Sequence, residues 1–227
     1  MQTSPYHFLP HPLWVYLGFL ALLAAVIALV EVGILHYTAD RLGLPRRLAF
    51  LLLLLCLIGS YVNIPVAELP PEPVESDRVV FYFGVPYVVP IVEEWPGTVV
   101  AVNVGGAIIP AVLSIYLLVR NQLYLEGLLG VVAVSLVVHA LAQPIPGIGI
   151  SVPTLTPPIA AAVFAMLLSR GRSAPLAYIS GTLGTLIGAD LMNLGAIHGL
   201  GAPVASIGGA GTFDGVFLTG ILAVLLA

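Results

Sequence analysis

Apolar positions in this chain come in long runs, not in alternation. Runs near 13–37, 48–66, 98–119, 127–142, 158–170, 175–196 and 208–227 approach the length needed to cross the roughly 30 Å hydrocarbon core of a bilayer. The fifth is short unless the proline-rich stretch before it is partly buried. The pattern predicts an all-α integral membrane protein with about seven transmembrane helices, forming a single transmembrane domain over residues 1–227. The opening MQTSPYHFLPHPLW lacks a positively charged n-region, so the first span is expected to be retained as an anchor.

Polar positions orient these runs. Arg41, Arg46 and Arg47 lie between the first two, Arg120 follows the third, and Arg170 and Arg172 follow the fifth. In a seven-span chain these loops share one face. The positive-inside rule then puts the N-terminus outside and the C-terminus in the cytoplasm. Glu31, near the inner end of the first span, is expected to pair with Arg46, Arg47 or Arg120.

The opposite face carries different loops. Residues 67–97 hold Glu68, Glu72, Glu75, Asp77, Glu93 and Glu94 against Arg78. This acidic outer loop reads as a solvated cap or as a vestibule that attracts cations. Within it, RVVFYFGVPYVVPIVEEW predicts a short β-hairpin around Gly84–Pro86, with aromatics suited to a membrane interface. Prolines between Pro144 and Pro158 rule out sustained helix in QPIPGIGISVPTLTPP, yet the stretch is apolar. It is expected to be re-entrant or to lie on the outer surface.

A short internal similarity links Asn103-Val104-Gly105-Gly106-Ala107 with Ser206-Ile207-Gly208-Gly209-Ala210. SYVNIP at 60–65 loosely matches DLMNLG at 190–195, which aligns Asn63 with Asn193. If this is a repeat, its halves run in the same direction across the membrane.

Composition narrows the class. The chain is 59% hydrophobic and 8% charged, with a mean hydropathy of +1.10. Soluble domains carry about 25% charged residues. The lipid bilayer is therefore the first partner. A net charge of -4 with no basic cluster argues against nucleic acid. Cys56 is the single cysteine, so no intramolecular disulfide forms. No nucleophile-elbow, zinc-protease, Walker or dinucleotide motif occurs, and no cofactor is expected.

The candidate chemistry sits in the last fifty residues. Asp190 and Asp214 interrupt apolar, glycine-rich segments, and ionisable groups inside a bilayer are costly and usually functional. At 1.5 Å per residue, Asp190 lies roughly 24 Å, Asp214 and Asn103 roughly 20 Å, and His139 roughly 18 Å from the inner face. All four share a layer in the outer half. Asn63, Gln143, Asn193 and His198 fall at or above it. Asn193, three residues beyond Asp190, is expected on the same helical face. Gly184 and Gly188 form a GxxxG ridge for close packing, and Gly211, Gly215 and Thr219 repeat small residues beside Asp214. The ion- or ligand-binding candidates are thus Asp190, Asp214, His139, Asn103 and Asn193. Each aspartate could instead cap a helix or bond between helices, and a lone histidine is commonly structural.

GADLMNL followed by GGAGTFDGVFLTGILAVLLA resembles the signature of an uncharacterised prokaryotic family of polytopic membrane proteins, a domain of unknown function. That resemblance implies a multi-pass protein of a prokaryotic plasma membrane and no particular activity. A weaker likeness is to the GxGD intramembrane aspartyl proteases, whose paired membrane aspartates activate water. Here Ile187 and Ala189 stand at the motif's glycine positions before Asp190, Phe213-Asp214 follows that aspartate where the proteases' Tyr-Asp precedes it, and the Pro-Ala-Leu element is missing.

These readings leave three functions open. The first is a transporter or channel for a small cation, a proton or a proton-coupled solute, using an intramembrane carboxylate site. At this size it would be expected to form a homo-oligomer. The second is an intramembrane hydrolase with Asp190 and Asp214 as a catalytic dyad, since two adjacent carboxylates divide acid and base roles. The third is a non-catalytic scaffold.

Overall fold

Many large apolar side chains face outward while the helix contacts hold many small or hydroxyl-bearing ones in the computed structural model, which describes residues 28, 31–145, 149–169, 171–197, 201–209 and 215–227. Asp214, His198, Arg170 and most of the predicted first span lie outside the described residues. The centre is helix α6 (Ser173–Thr185), every residue of which is buried except Leu183. Around it pack α3 (Ile109–Asn121), α4 (Tyr124–Leu141), α5 (Thr156–Leu168) and α7 (Gly215–Leu226). Helices α1 (Glu31–Leu42) and α2 (Arg46–Gly59) complete the helical part.

Glycines let the helices around α6 approach it. A Cβ on Gly184 would lie 2.7 Å from Val134 of α4, and one on Gly220 of α7 would lie 2.7 Å from both Thr182 and Tyr178. Small residues that bring backbones together replace the hydrophobic drive that is absent between helices in lipid. The periphery fits that environment. Ile58, Leu125 and Leu167 are 58%, 66% and 74% exposed.

Among the described residues, length separates the apolar helices. Two of the described helical stretches, Val104–Asn121 and Tyr124–Leu141, are long and apolar enough to cross a membrane. A third span results if α1 and α2, bent by 115° at their junction, count as one; α5 and Val216–Leu226 are shorter apolar helices. Several predicted runs are interrupted. Helix α2 stops at Gly59, and the run continues as strand β1 (Asn63–Glu68). The third run opens as β4 (Val99–Asn103), passes through a π-helical turn (Val104–Ile108), and only then becomes α3. After α6 come a second π turn (Leu186–Asp190) and a 3₁₀ stretch (Leu191–Ile197). Hydropathy registers apolarity alone, and a β-branched run such as VVAVN is as apolar as a helix.

The interruptions meet at a small sheet. β1 pairs antiparallel with β4, and β4 pairs parallel with β7 (Val204–Ile207), from Val99↔Val204 to Val102↔Ile207. The strands that lead into the similar NVGGA and SIGGA stretches thus lie side by side and run in the same direction. A Cβ on Gly208, whose φ is +75°, would meet Ala107 at 2.7 Å, so the two turns are in close contact.

Between β1 and β4, β2 (Glu72–Tyr82) and β3 (Val85–Trp95) form an antiparallel ribbon. Its two-residue turn, Phe83-Gly84, has positive φ at both positions, the twist a tight hairpin requires. In the proline-rich stretch, β5 (Gln143–Ile145) pairs with β6 (Gly149–Ser151), which lies against the sheet end of the bundle.

The described arginine-bearing turns gather at the other end. Arg172 donates to the Asn121 carbonyl, Arg120 reaches the Gly43 turn, and Ser173 bonds the C-terminal Ala227 carbonyl. Arg46 pairs with Asp40 at 2.7 Å, and not with Glu31. Its hydrogen bond holds the Asp40 carboxyl below the ordinary carboxylate range. A depressed carboxylate contributes stability at neutral pH that is lost as pH falls through its lowered pKa. Both side chains are exposed, so that contribution is small.

The packing makes a direct prediction. Gly188→Ala would set a Cβ 2.4 Å from the Ser135 carbonyl oxygen of α4. It should destabilise the protein by about 1–3 kcal/mol, read as a lower unfolding midpoint in detergent. Gly33→Ala, with nothing within 4 Å, should leave the midpoint unchanged or slightly raised.

Candidate functional site

Where the second π turn, the 3₁₀ stretch after it, β6 and the three-stranded sheet converge, they border a partly open cavity of about 660 Å³. Its wall mixes apolar side chains such as Ile150, Leu194 and Val216 with Asn63, Asn103, Thr185, Asp190 and Ser206. Volumes of this order suit small organic molecules.

Asp190 closes the second π turn and lies in the wall. Its Oδ2 accepts the Gly208 N–H at 2.7 Å, so the carboxylate also organises the turn after β7. The π turn sets its direction. In an unbroken helix, residues five apart point to different sides, whereas a π turn closes over five residues and brings them back into line. Asp190 and Thr185 accordingly line the same cavity.

Asn103 precedes the first π turn as its N-cap and is 2% exposed. Its Oδ1 accepts the Gly106 N–H at 2.8 Å, capping the turn. Its Nδ2 donates to the Ser60 carbonyl at 2.8 Å and to Asn63 Oδ1 at 3.0 Å. Asn63 stands opposite it in the β1–β4 register, and Ser206 of β7 donates to the same Oδ1 at 2.6 Å. This amide–hydroxyl cluster joins the three strands.

Of the residues picked from sequence, the structure brings Asp190 and Asn103 to one cavity. Asn193 does not line it. Because the helix tightens into a 3₁₀ stretch after Asp190, the three-residue spacing no longer puts the two side chains on one α-helical face. Asn193 Nδ2 turns back to the Gly188 and Ala189 carbonyls at 2.8 and 3.0 Å, serving groups left open by the irregular helix. His139 is not in the wall; its Nδ1 is buried on α4 without a hydrogen-bond partner among the described residues. Asp214 lies outside the described residues. Thr185, Ser206, Thr154 and Thr219 also line the cavity and were not singled out as ligands, since lone hydroxyls in apolar helices carry no sequence signal. No group of three His, Cys, Asp or Glu side chains able to hold a metal occurs among the described residues.

Residues 57–226 match the model of a family described as "Protein of unknown function (DUF1614)". The chain belongs to that family. No curated protein and no solved structure matches it. The DUF1614 region takes in the end of α2, the sheet, both π turns, the cavity wall and α7, and leaves out α1. It brings no activity with it, and no comparison ties the chain to the GxGD proteases.

Asn103→Ala should leave the Gly106 N–H and the Ser60 carbonyl unpaired at a buried site. We expect a loss of about 1–3 kcal/mol for each group, and a smaller loss for Asn63→Ala, whose side chain is exposed. Chemical denaturation of the two variants in detergent compares them.

Proposed function

We propose that this protein is a multi-pass membrane protein that takes a small cation or proton-coupled solute into the cavity and passes it across the bilayer, with Asp190 as the intramembrane carboxylate. The observation that carries this reading is a cavity of mixed apolar and polar wall that takes in Asn103, just before the first π turn, and the Asp190 carboxylate, at the end of the second. Broken helices whose irregular backbone lines a cavity are a recurrent basis of solute sites in transporters. The parallel placement of the two turns supports a paired arrangement around that site.

In this reading the arginine-bearing end faces the cytoplasm and the cavity opens toward the outside, with the acidic segment 67–97 on the same side. The plasma membrane of a prokaryote is the proposed location, the N-terminus is outside, and a homo-oligomer is the proposed working unit.

Flux through reconstituted vesicles tests the role of Asp190. Asp190→Asn keeps an oxygen for the Gly208 N–H and should fold, yet lower cation- or proton-coupled flux at least tenfold, the order expected for losing a charge-assisted contact. Unchanged flux in a folded variant would sink the proposal. Orientation is tested separately with Arg172→Cys in a chain whose native Cys56 is buried. An impermeant thiol reagent should label position 172 from the cytoplasmic side alone.

A further inference from the structure

The β2–β3 ribbon is left almost alone by the rest of the fold, and its two strands pack chiefly on each other. A two-stranded hairpin is marginal in water and needs a further surface to cover it. Charge is divided along its length. Glu72, Glu75, Asp77, Arg78, Glu93 and Glu94 all occupy register positions in the half nearer the bundle, whereas Val79–Val89 holds no charged residue.

The uncharged tip is apolar on both faces. Successive strand residues alternate between the faces of a ribbon. The register therefore puts Val79 and Phe81 on one face and Tyr82, Val85, Tyr87 and Val89 on the other. All six are exposed, Phe81 by 71% and Tyr82 by 65%. A partner protein laid on one face would leave the other in water. A medium that surrounds the tip covers both.

Phe83, at the turn, is an independent sign. Its φ of +50° is a left-handed conformation that Gly, Asn and Asp adopt readily and a bulky side chain does not. Turn geometry therefore does not select phenylalanine here. The ring is 90% exposed, and its ring contact among the described residues is the edge of Tyr82, with centroids 4.7 Å apart. What offsets the unfavourable backbone lies outside the chain.

We propose that Val79–Val89 seats in the lipid–water interface of the protein's own membrane, in the leaflet at the sheet end of the bundle, as an aromatic anchor for the ribbon. Aromatic side chains favour that layer, where a ring is covered and a tyrosine hydroxyl stays wet. The ribbon is long enough. Its 11-residue strands, at about 3.3 Å per residue, reach roughly 35 Å, some three times the diameter of a helix, so the tip can extend past the bundle to lipid. The acidic half stays in water, and it makes a zwitterionic surface a better host than an anionic one. The anchor rests on the multi-pass part of the reading above and is independent of transport.

Nitroxide labels read by electron paramagnetic resonance test the anchor on the full-length protein in phosphatidylcholine nanodiscs. Each label goes on one introduced cysteine, since Cys56 is buried. At Val85→Cys the label should lose contact with a water-soluble nickel chelate and gain contact with oxygen, which concentrates in lipid. At Glu94→Cys, on the acidic half, it should show the reverse. Val132→Cys, on the exposed side of α4, marks the lipid core. Val89→Cys replaces Val85→Cys if that variant fails to fold.

A triple variant separates anchoring from folding. Phe81→Thr, Tyr82→Thr and Phe83→Asn together keep β-prone strands and install Asn-Gly, the dipeptide favoured in this turn. They should move the Val85 label into water and leave the Val132 label in lipid.

A Val85 label that sits in water in the native ribbon, or one unmoved by the triple variant, would overturn the anchor. Spin–spin broadening between labelled copies, removed by dilution with unlabelled protein, would overturn it too, because a second copy would then cover the tip. Protection that requires added vesicles would assign the tip to an apposed membrane and not to its own. A Val132 label in water would end the multi-pass reading and the anchor together. A Val132 label in lipid with a Val85 label in water ends the anchor alone.

Discussion

A helix that stops within an apolar layer leaves backbone N–H and C=O groups that no water can reach, and each must find a partner inside the protein. Much of the site's structure answers that constraint. Asn103 caps one break and Asp190 holds the turn beside the other, while Asn193 covers carbonyls of the second π turn. The β1–β4–β7 sheet absorbs the extended backbone between them. The cavity is the volume these solutions leave open. Its wall holds polar groups among apolar ones because the groups that repair broken helices are polar.

The same constraint explains why α6 is at once central and short. Ala174, Ala177, Ser180, Gly181 and Gly184 allow its neighbours to approach, while Leu176, Tyr178 and Ile179 of the same helix fill the core between them. Where that close packing reaches Gly188 against the Ser135 backbone, the helix loosens into a π turn. The register shift places Asp190 and Thr185 together in the wall. Packing on one face and the position of the carboxylate on another are therefore coupled through a single turn.

Several features were legible in the chain because they depend on neighbouring residues. The hydropathic runs located α4 and α5 to within a few residues. Gly184 and Gly188 announced their close contact with α4. The arginine loops described here do share one end of the bundle. Asp190, picked as a carboxylate in an apolar segment, and Asn103, picked from its depth, do line a common cavity. The misses have a common cause. Depth along a helix does not specify azimuth, so Asn193 and His139 sit near the proposed level without entering the wall. Partner choice is also nonlocal: the similarity aligned Asn63 with Asn193 and Asn103 with Ser206, whereas the fold pairs Asn63 with Asn103 and sets Ser206 on Asn63.

The sequence by itself marked the apolar runs of this protein and the places of its unusual charges along them. Apolar run lengths, charge placement and glycine spacing are local quantities, and they follow from composition along the chain. Only the tertiary structure decided which runs are continuous helices, which polar groups are consumed in repairing backbone, and which remain for a ligand. Those outcomes depend on hydrogen bonds between segments that lie far apart, such as Asn63 and Ser206, 143 residues from one another. A carboxylate in an apolar segment was visible from the start. That it shares a cavity with the unengaged hydroxyl of Thr185 depends on a one-residue change in helical winding, which hydropathy does not encode.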